Sequence, residues 1–328
     1  MMSKLGVGVI GLRRGSTYLS AFNANPNAEI RGVCDLEAEL LNAAKKQYNA
    51  RIASMDYKEL FSEEIDVIAV CTPDHFHKEQ SVNSLHAGKH VLCEKPLAID
   101  IAQCEEIVKA VDETGLKFMV GQNYRFESTY WSIKKLVEEG KLGDPFFVEV
   151  YYWNNLQGLG GVGNWRNDPS IRHILRGGCH APDLARWIIG EVVEVFAYSN
   201  LKVLIDEAKS DDFITTVAKF SNGCIGNIIV SSGCQRPFST TVSVYGSQGT
   251  VENNHALWWN KGQSQPEAVP RIEAINSAHF VANHFVECIL EDKTPMVDVR
   301  DGARTIAVVE AAIQSAKEGK PVKVKTDF

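Results

Sequence analysis

The chain has 328 residues, more than one ordinary hydrophobic core holds, so its length predicts two domains. Its net charge of −7 argues against nucleic acid or an anionic membrane as the main partner, and no apolar run approaches the ~20 residues of a membrane span. The eight cysteines are scattered without a Cys-x-x-Cys pair and no histidine cluster has metal-ligand spacing, so we expect a cytoplasmic protein with no disulfide and no metal site.

The first half of the sequence alternates apolar strands with helices. The predicted strands are KLGVGVIG (4–11), AEIRGVCD (28–35), IDVIAVCTP (65–73), HVLCEKP (90–96) and KFMVGQ (117–122). The segments between them have helical spacing, and they are STYLSAFNANP (16–26), LEAELLNAAKKQY (36–48), HKEQSVNSLHAG (77–88) and IAQCEEIVKAVDETG (101–115). Strands that are apolar on both faces and separated by helices indicate an α/β fold with a doubly wound parallel sheet. Ligands of such sheets bind beyond the carboxyl ends of the strands.

The turn after the first strand, GLRRGS (11–16), carries part of a dinucleotide fingerprint. Gly11 and Gly15 are present, but either the middle glycine of G-x-G-x-x-G is missing or the loop is one residue short, so an ordinary tight turn is the alternative. Asp35 ends the second strand, 24 residues after Gly11, where an acid that binds the adenosine ribose is expected. A carboxylate there repels a 2′-phosphate and favours NAD over NADP, although Arg13 or Arg14 could pair with such a phosphate. The predicted cofactor contacts in this region are Gly11, Leu12, Arg13, Arg14 and Asp35.

Later strands also end in polar residues or proline. Because the carboxyl ends of parallel strands meet at one edge of a sheet, we expect these side chains to face the same crevice as the glycine turn. They are Thr72 and Pro73, Glu94 and Lys95 before Pro96, and Gln122 and Asn123.

After about residue 123 the pattern changes to that of a mostly antiparallel sheet. STYWSIKKLVEEGKLG (128–143) is an amphipathic helix that ends in glycine. The strand-like segments that follow are PFFVEVYYW (145–153), VVEVFAYSN (192–200), DDFITTVAKFSNG (211–223), IGNIIVSSG (225–233) and STTVSVYGSQGTVENN (239–254). Antiparallel sheets can leave one face open, which suits contact between subunits. We therefore expect an NAD-binding domain over residues 1–122 and a substrate-binding and oligomerisation domain over residues 123–328.

The chemistry of the second half is concentrated in RGGCHAPDLARWIIG (176–190). Two glycines break the chain and Pro182 suits the first turn of a helix, which places His180 near a helix N-terminus. The positive end of the helix dipole disfavours an imidazolium there, so His180 is a candidate general base for a hydroxyl proton. Asp183 is a candidate to orient the site or bind a substrate hydroxyl. The alternative is a helix-capping histidine with a solvated aspartate.

Five segments together resemble the Gfo/Idh/MocA oxidoreductases, the relatives of glucose–fructose oxidoreductase and inositol dehydrogenase. They are TPDHFHKEQ (72–80), AGKHVLCEKPLA (87–98), GQNYRF (121–126), GKLGDP (140–145) and GGCHAPDLARWIIG (177–190), and the resemblance extends to GKPVKV (319–324). It implies a Rossmann domain followed by an α/β domain with a large open sheet that often forms homodimer or homotetramer contacts. It also implies NAD-dependent oxidation of a ring hydroxyl of a sugar, glycoside or cyclitol, or the reverse reduction.

The resemblance also implies roles for single residues. Lys95 matches the lysine that lies between nicotinamide and substrate, Glu94 would orient the site and contact the cofactor, and His77 matches a position near the cofactor. The Lys95–Pro96 bond is often cis in such proteins. Arg176 is a departure, because many members carry an aspartate there and arginine cannot act as a base. The proton route is then expected to use His180 and Lys95.

Aromatic and arginine side chains complete the predicted substrate site, since aromatic faces stack on sugar C–H surfaces and arginine donates to hydroxyls. The candidates are Asn123, Tyr124, Arg125, Trp153, Trp165, Arg166, Arg176 and Asp183, with a core position as the alternative for Trp153. Two other functions stay open. One is an NAD-dependent glycosidase that oxidises its sugar transiently, and the other is a non-catalytic regulator that binds NAD and a sugar.

Overall fold

The structure, a computed structural model, describes residues 4–158, 172–206, 210–253, 255–257, 265, 267–268 and 277–328. The chain divides into two units, of which the first contains residues 1–123 and 276–303 and the second contains residues 124–275 and 304–328. Among the described residues, no helix is long and apolar enough to cross a membrane.

The first unit is built on a parallel sheet. Within residues 4–123, which are described without a gap, the six strands are β1 (Leu5–Ile10), β2 (Ala28–Cys34), β3 (Ile52–Ser54), β4 (Val67–Val70), β5 (His90–Glu94) and β6 (Phe118–Gly121). Their order in the sheet is β3-β2-β1-β4-β5-β6, and every neighbouring pair is parallel. The helices of this unit are α1 (Leu12–Ala24), α2 (Ala38–Tyr48), α3 (His77–His86), α4 (Ile101–Thr114) and α8 (Ser277–Leu290). This is the doubly wound Rossmann arrangement that the sequence predicted.

The strand and helix limits of this unit follow from local chemistry. All four residues of β4 are buried, as expected of a central strand covered on both faces. Helix α4 begins where the Asp100 carboxylate accepts a hydrogen bond from the Gln103 amide at 2.8 Å. It ends at Gly115, whose φ of 66° is a left-handed conformation that glycine adopts readily. These caps bring the chain back to the sheet at a fixed point.

Residues 276–303 belong to the first unit, whereas the sequence analysis assigned them to the second domain. The Asn25 side-chain amide donates to Asn283 of α8 at 2.7 Å. The Val120 amide donates to the Val297 carbonyl at 2.9 Å. The first domain is therefore discontinuous in sequence, and it is completed by a segment from near the C-terminus.

The second unit combines helices with a large mixed sheet. Its described helices are α5 (Ser128–Glu138), α6 (His173–Arg176) and α7 (His180–Ile189), and the boundary between the two units falls within α9 (Val299–Glu318). Its described strands are β7 (Pro145–Trp153), β8 (Val192–Asn200), β9 (Phe213–Phe220), β10 (Ile225–Ser231), β11 (Ser239–Gly246), β12 (Thr250–Glu252), β13 (His255–Leu257), β14 (Glu267–Ala268) and β15 (Val322–Lys323). Within the described residues they form a nine-stranded sheet of order β14-β13-β12-β11-β7-β10-β9-β8-β15. Only the β7–β10 pair among these is parallel, so the sheet is mostly antiparallel, as predicted.

Strand β7 shows why this sheet has two different faces. Val148, Val150 and Tyr152 are buried, and the side chains that alternate with them are half-buried. Successive side chains of a strand point to opposite faces, so the second set shares a face with its register partners on neighbouring strands. We call this surface the open face, and it contains Phe147, Glu149, Tyr151, Phe196, Tyr198, Val217, Ile225, Ile229 and Tyr245.

Candidate active site

The turn between β1 and α1 requires glycine at two points. Gly11 has a φ of 86°, and a Cβ added there would lie 2.7 Å from the Cys71 carbonyl oxygen. A Cβ at Gly15 would lie 2.7 Å from Cγ1 of Val9, so glycine lets α1 pack closely on β1. These are the demands of a dinucleotide-binding turn, which needs a tight bend and close helix–strand packing.

Asp35 lies beside this turn, as the sequence spacing predicted. Its Oδ2 accepts a hydrogen bond from the Leu12 amide at 2.6 Å, and its Oδ1 accepts one from the Glu37 amide at 2.9 Å. The side chain stays partly exposed at the carboxyl end of β2. A carboxylate held in this position is the group that a dinucleotide site needs for the adenosine ribose.

The two arginines of the turn both pair with carboxylates. Arg13 donates from Nε and Nη2 to the two carboxylate oxygens of Glu37, each at 2.6 Å. Arg14 donates from Nε to Oε1 of Glu94 at 2.7 Å. Each of these charges therefore has a carboxylate partner within the first unit.

The Glu94–Lys95–Pro96 turn follows β5 directly. Glu94 is only 4% exposed, and its Oε2 accepts a hydrogen bond from the Lys95 amide at 3.1 Å. The Lys95–Pro96 peptide bond is cis, as the resemblance implied. Arg14 and the Lys95 backbone therefore hold opposite oxygens of the same buried carboxylate, and Lys95 is placed by that arrangement.

Other predicted cofactor residues follow β4 and β6. Thr72 donates from its hydroxyl to Oε1 of Gln80 at 2.6 Å, and Pro73 precedes the 3₁₀ turn Asp74–Phe76. Gln122 is 1% exposed, and its Oε1 has no hydrogen-bond partner among the described residues. A buried amide oxygen without a partner at a strand end fits a ligand that donates hydrogen bonds. Together with the glycine turn and Asp35, it fits an NAD site.

His77 is almost fully buried between two turns of this edge. Its Nδ1 lies 2.7 Å from the Pro96 carbonyl oxygen, and its Nε2 lies 2.9 Å from the Thr72 carbonyl oxygen. Burial lowers the pKa of the His77 ring, but Cys93, Asp74 and the Pro96 carbonyl raise it more, to about 10.

In the second unit, His180 is the first residue of α7 and stacks on a tyrosine. The rings of Tyr124 and His180 have centroids 4.0 Å apart and planes within 9°. Tyr130 extends the stack, with its centroid 5.6 Å from that of Tyr124. His180 is 4% exposed, and its ring is therefore held in one orientation by packing. The sequence predicted the place of His180 on the helix but not this stack.

Arg125 and Asp183 form a buried bidentate ion pair. Arg125 donates from Nε to Oδ2 of Asp183 at 3.0 Å and from Nη2 to Oδ1 at 2.6 Å. The Thr305 hydroxyl donates to the same Oδ1 at 3.1 Å, and Asp183 is 0% exposed. The sequence analysis expected Arg125 to contact substrate and Asp183 to orient the site or bind a substrate hydroxyl, and in the structure the two charges pair with each other. This pair ties the segment that carries Tyr124 to the first turn of α7.

Trp153, a predicted substrate residue, lies on the half-buried side of β7. Trp153 lies beside Tyr151 on the same side of β7, and Arg236 stacks on it with 5.6 Å between the guanidinium carbon and the ring centroid. The ring near His180 is that of Tyr152, at a centroid distance of 6.1 Å. Since side chains alternate along a strand, Trp153 faces away from His180. The contact of Trp153 with substrate stays a prediction, and Tyr152 is a ring near His180 that the sequence analysis did not single out.

The structure gives less information about the four remaining substrate candidates. Asn123 donates from its side-chain amide to the Ser277 hydroxyl at 3.4 Å in the first unit. Arg176 is half-buried at the end of α6, four residues before His180. Trp165 and Arg166 lie outside the described residues.

Comparison with known proteins extends over most of the chain. Residues 5–122 match the profile described as "Oxidoreductase family, NAD-binding Rossmann fold", and residues 134–324 match "Oxidoreductase family, C-terminal alpha/beta domain". The myo-inositol 2-dehydrogenase of Thermotoga maritima is 26% identical over 341 residues, which cover 97% of this chain and 98% of that protein. The D-apiose dehydrogenase of Paraburkholderia graminis is 25% identical over 329 residues, which cover 94% and 86% respectively.

Solved structures share the fold. A levoglucosan dehydrogenase in complex with NADH superposes with a TM-score of 0.91 at 21% identity, covering 99% of this chain and 100% of that one. An oxidoreductase domain protein from Kribbella flavida superposes with a TM-score of 0.89 at 23% identity, with coverage of 99% and 100%.

Proposed function

The chain belongs to the Gfo/Idh/MocA oxidoreductase family, and on that premise we propose that it oxidises a ring secondary hydroxyl of a sugar, glycoside or cyclitol with NAD, or reduces the corresponding ketone. The observation that carries this proposal is the buried Glu94 carboxylate, whose two oxygens accept hydrogen bonds from Arg14 and from the Lys95 amide. It places a lysine at the carboxyl end of a central strand of an NAD-binding domain. Relatives named for inositol and apiose support a substrate with several hydroxyls.

The cofactor is NAD, and the first unit offers the groups that would hold it. The Gly11 turn gives close backbone approach, Asp35 offers a carboxylate to the ribose, and Gln122 offers an unsatisfied amide oxygen. Arg13 and Arg14 already have carboxylate partners, which disfavours recruitment of a 2′-phosphate. When bound, NAD accepts the hydride from the carbinol carbon, and the protein supplies position and electrostatics.

We assign the proton chemistry to Lys95 and His180. The Lys95 ammonium donates a hydrogen bond to the reacting hydroxyl and stabilises negative charge that develops on its oxygen. His180 takes the proton, since the N-terminus of α7 disfavours the charged ring beforehand and keeps it available as a base. Arg176 has no basic lone pair and takes no part in proton removal.

The proposed partner of the open face is a second copy of the chain. Tyr198, Val217 and Ile225 are 65%, 53% and 50% exposed, so a large apolar surface meets solvent in one chain. Glu149 is a carboxylate within this face, and it accepts hydrogen bonds from the hydroxyls of Tyr151 and, at 2.9 Å, Tyr245. Because two tyrosine hydroxyls already donate to this acid, its oxygens keep hydrogen-bond partners within their own chain when two copies meet there. We therefore propose a homodimer or homotetramer assembled through the open face.

Light scattering tests the assembly. Val217→Glu places a charge on the open face and should give monomers, whereas the control Leu290→Glu changes an exposed apolar residue of α8 and should leave the assembly intact. A Val217→Glu protein with the mass of the wild type would contradict the proposal.

A screen for NADH formation from sugars, cyclitols and glycosides tests the activity. With the best substrate, Lys95→Met should lower turnover by at least ~100-fold while NAD binding is nearly unchanged, since the lysine acts on the hydroxyl. Lys58→Met, at an exposed lysine of the same unit, is the control. Near wild-type turnover in Lys95→Met would overturn the assignment. Cleavage of a glycoside without net NADH would instead favour the glycosidase alternative.

A further inference from the structure

We propose that His77 is a positioning residue that stays protonated at neutral and mildly alkaline pH. As an imidazolium it donates hydrogen bonds to the turns after β4 and β5 at the same time, and so fixes the turn that carries Lys95. Its catalytic consequence rests on the proposed function of Lys95. Its protonation rests on contacts within the first unit alone.

The two carbonyl contacts of the His77 ring favour a doubly protonated ring. Both ring nitrogens lie within hydrogen-bond distance of a backbone carbonyl oxygen, at 2.7 Å for Pro96 and 2.9 Å for Thr72. A carbonyl only accepts, and a neutral imidazole has one N–H and one lone pair. A neutral His77 would therefore press a lone pair against a carbonyl oxygen in a site where the side chain is 1% exposed. The imidazolium donates to both carbonyls and satisfies every polar atom involved.

The surroundings of His77 support the charged form. The titratable groups that face it are Asp74 on the preceding turn, which is 6% exposed, and the fully buried Cys93 of β5. Their combined effect with the Pro96 carbonyl exceeds that of burial and raises the pKa of His77 to about 10.

His77 connects the chain segments that follow β4 and β5 at the point where the pairing of these two strands ends. The last register pair between β4 and β5 is Val70 with Cys93, so the carbonyls of Thr72 and Pro96 lie beyond the ladder that joins these strands. His77 connects the two chain segments at that point. Lys95 then stands between two fixed groups, with Glu94 binding its amide and His77 binding the carbonyl of the next residue.

Nuclear magnetic resonance of protein labelled with ¹⁵N-histidine tests the protonation without any substrate. At pH 8.5, we expect one of the nine histidines to retain protons on both ring nitrogens, and this signal should disappear in His77→Gln. If every ring shows one unprotonated nitrogen at that pH, the inference is wrong. If a doubly protonated ring persists in His77→Gln, the charge belongs to another histidine and the inference is equally wrong.

Kinetics test the positioning role. His77→Asn and His77→Gln each keep one amide donor and lose the charge, and we expect kcat to fall roughly 10–100-fold while NADH affinity changes little, because a displaced Lys95 affects the reaction rather than cofactor binding. Unchanged kcat in both variants would refute the positioning role. Failure of the proposed function would appear separately, as full turnover in Lys95→Met with the doubly protonated ring still present.

Discussion

The buried pair of Arg125 and Asp183 should contribute far more to stability than an exposed pair of the same geometry. Their side chains are 3% and 0% exposed, and Arg125→Met leaves a carboxylate buried without its cation. Removal of one partner of a buried pair costs ~3–5 kcal/mol. For a domain of this size, each kcal/mol shifts the melting temperature by roughly 2–4 °C, so we expect a loss of roughly 6–20 °C.

The matched control is Arg13→Met. Arg13 and Glu37 form the same two-bond fork, but their side chains are 75% and 48% exposed, and solvent screening leaves such pairs little effect on stability. Calorimetry and urea unfolding of the protein without cofactor measure both changes. In the double variant Arg125→Met/Asp183→Leu the unpaired charge is gone, and part of the stability should return. If Arg125→Met destabilises no more than Arg13→Met, the structural role of the buried pair is refuted.

Three further predictions follow from the described contacts. Tyr124→Leu removes a ring stacked on His180, worth ~0.5–1.5 kcal/mol, and should lower kcat roughly 2–12-fold, with a smaller effect in the control Tyr130→Leu. NADH should bind more tightly than NADPH in calorimetric titrations. Asp35→Ala should bring the dissociation constants of the two cofactors closer together, and an unchanged ratio of these constants would count against the role of Asp35. His77 keeps its proton to a pKa of about 10 in the folded protein but only to ~6.5 when unfolded, so the stability that its charge contributes is complete below pH ~6.5 and is lost as the pH rises to about 10. In His77→Gln, the unfolding free energy should depend less on pH between 7 and 10, and an unaltered slope would contradict this.

The parallel sheet could be predicted because its strands are apolar on both faces and are followed by glycine, proline or polar residues. Val67–Val70 is fully buried, and the polar residues that follow β4, β5 and β6 lie at one edge of the sheet. The position of Asp35 beside the Gly11 turn followed from spacing alone. These features are local, so the sequence displays them directly.

The missed features depend on contacts between distant positions. Arg125 and Asp183 are 58 residues apart, and nothing in either local sequence indicates that their charges pair. Helix α8 carries apolar residues that suit any core, so its return to the first unit is decided by complementary packing and by the Asn25–Asn283 hydrogen bond. The sequence analysis did not single out Tyr152, whose ring lies near His180, because only the assembled sheet decides which face of β7 is covered.

Isotope transfer tests the central claim most directly. A substrate found by the NADH screen is deuterated at the carbinol carbon, incubated with the protein and NAD, and the resulting NADH is analysed by mass spectrometry. We predict that the NADH carries one deuterium, and that its formation is strongly reduced in Lys95→Met and His180→Ala. A protein that binds NADH yet forms no deuterated NADH from any sugar, glycoside or cyclitol, or forms it equally well in both variants, would contradict the account.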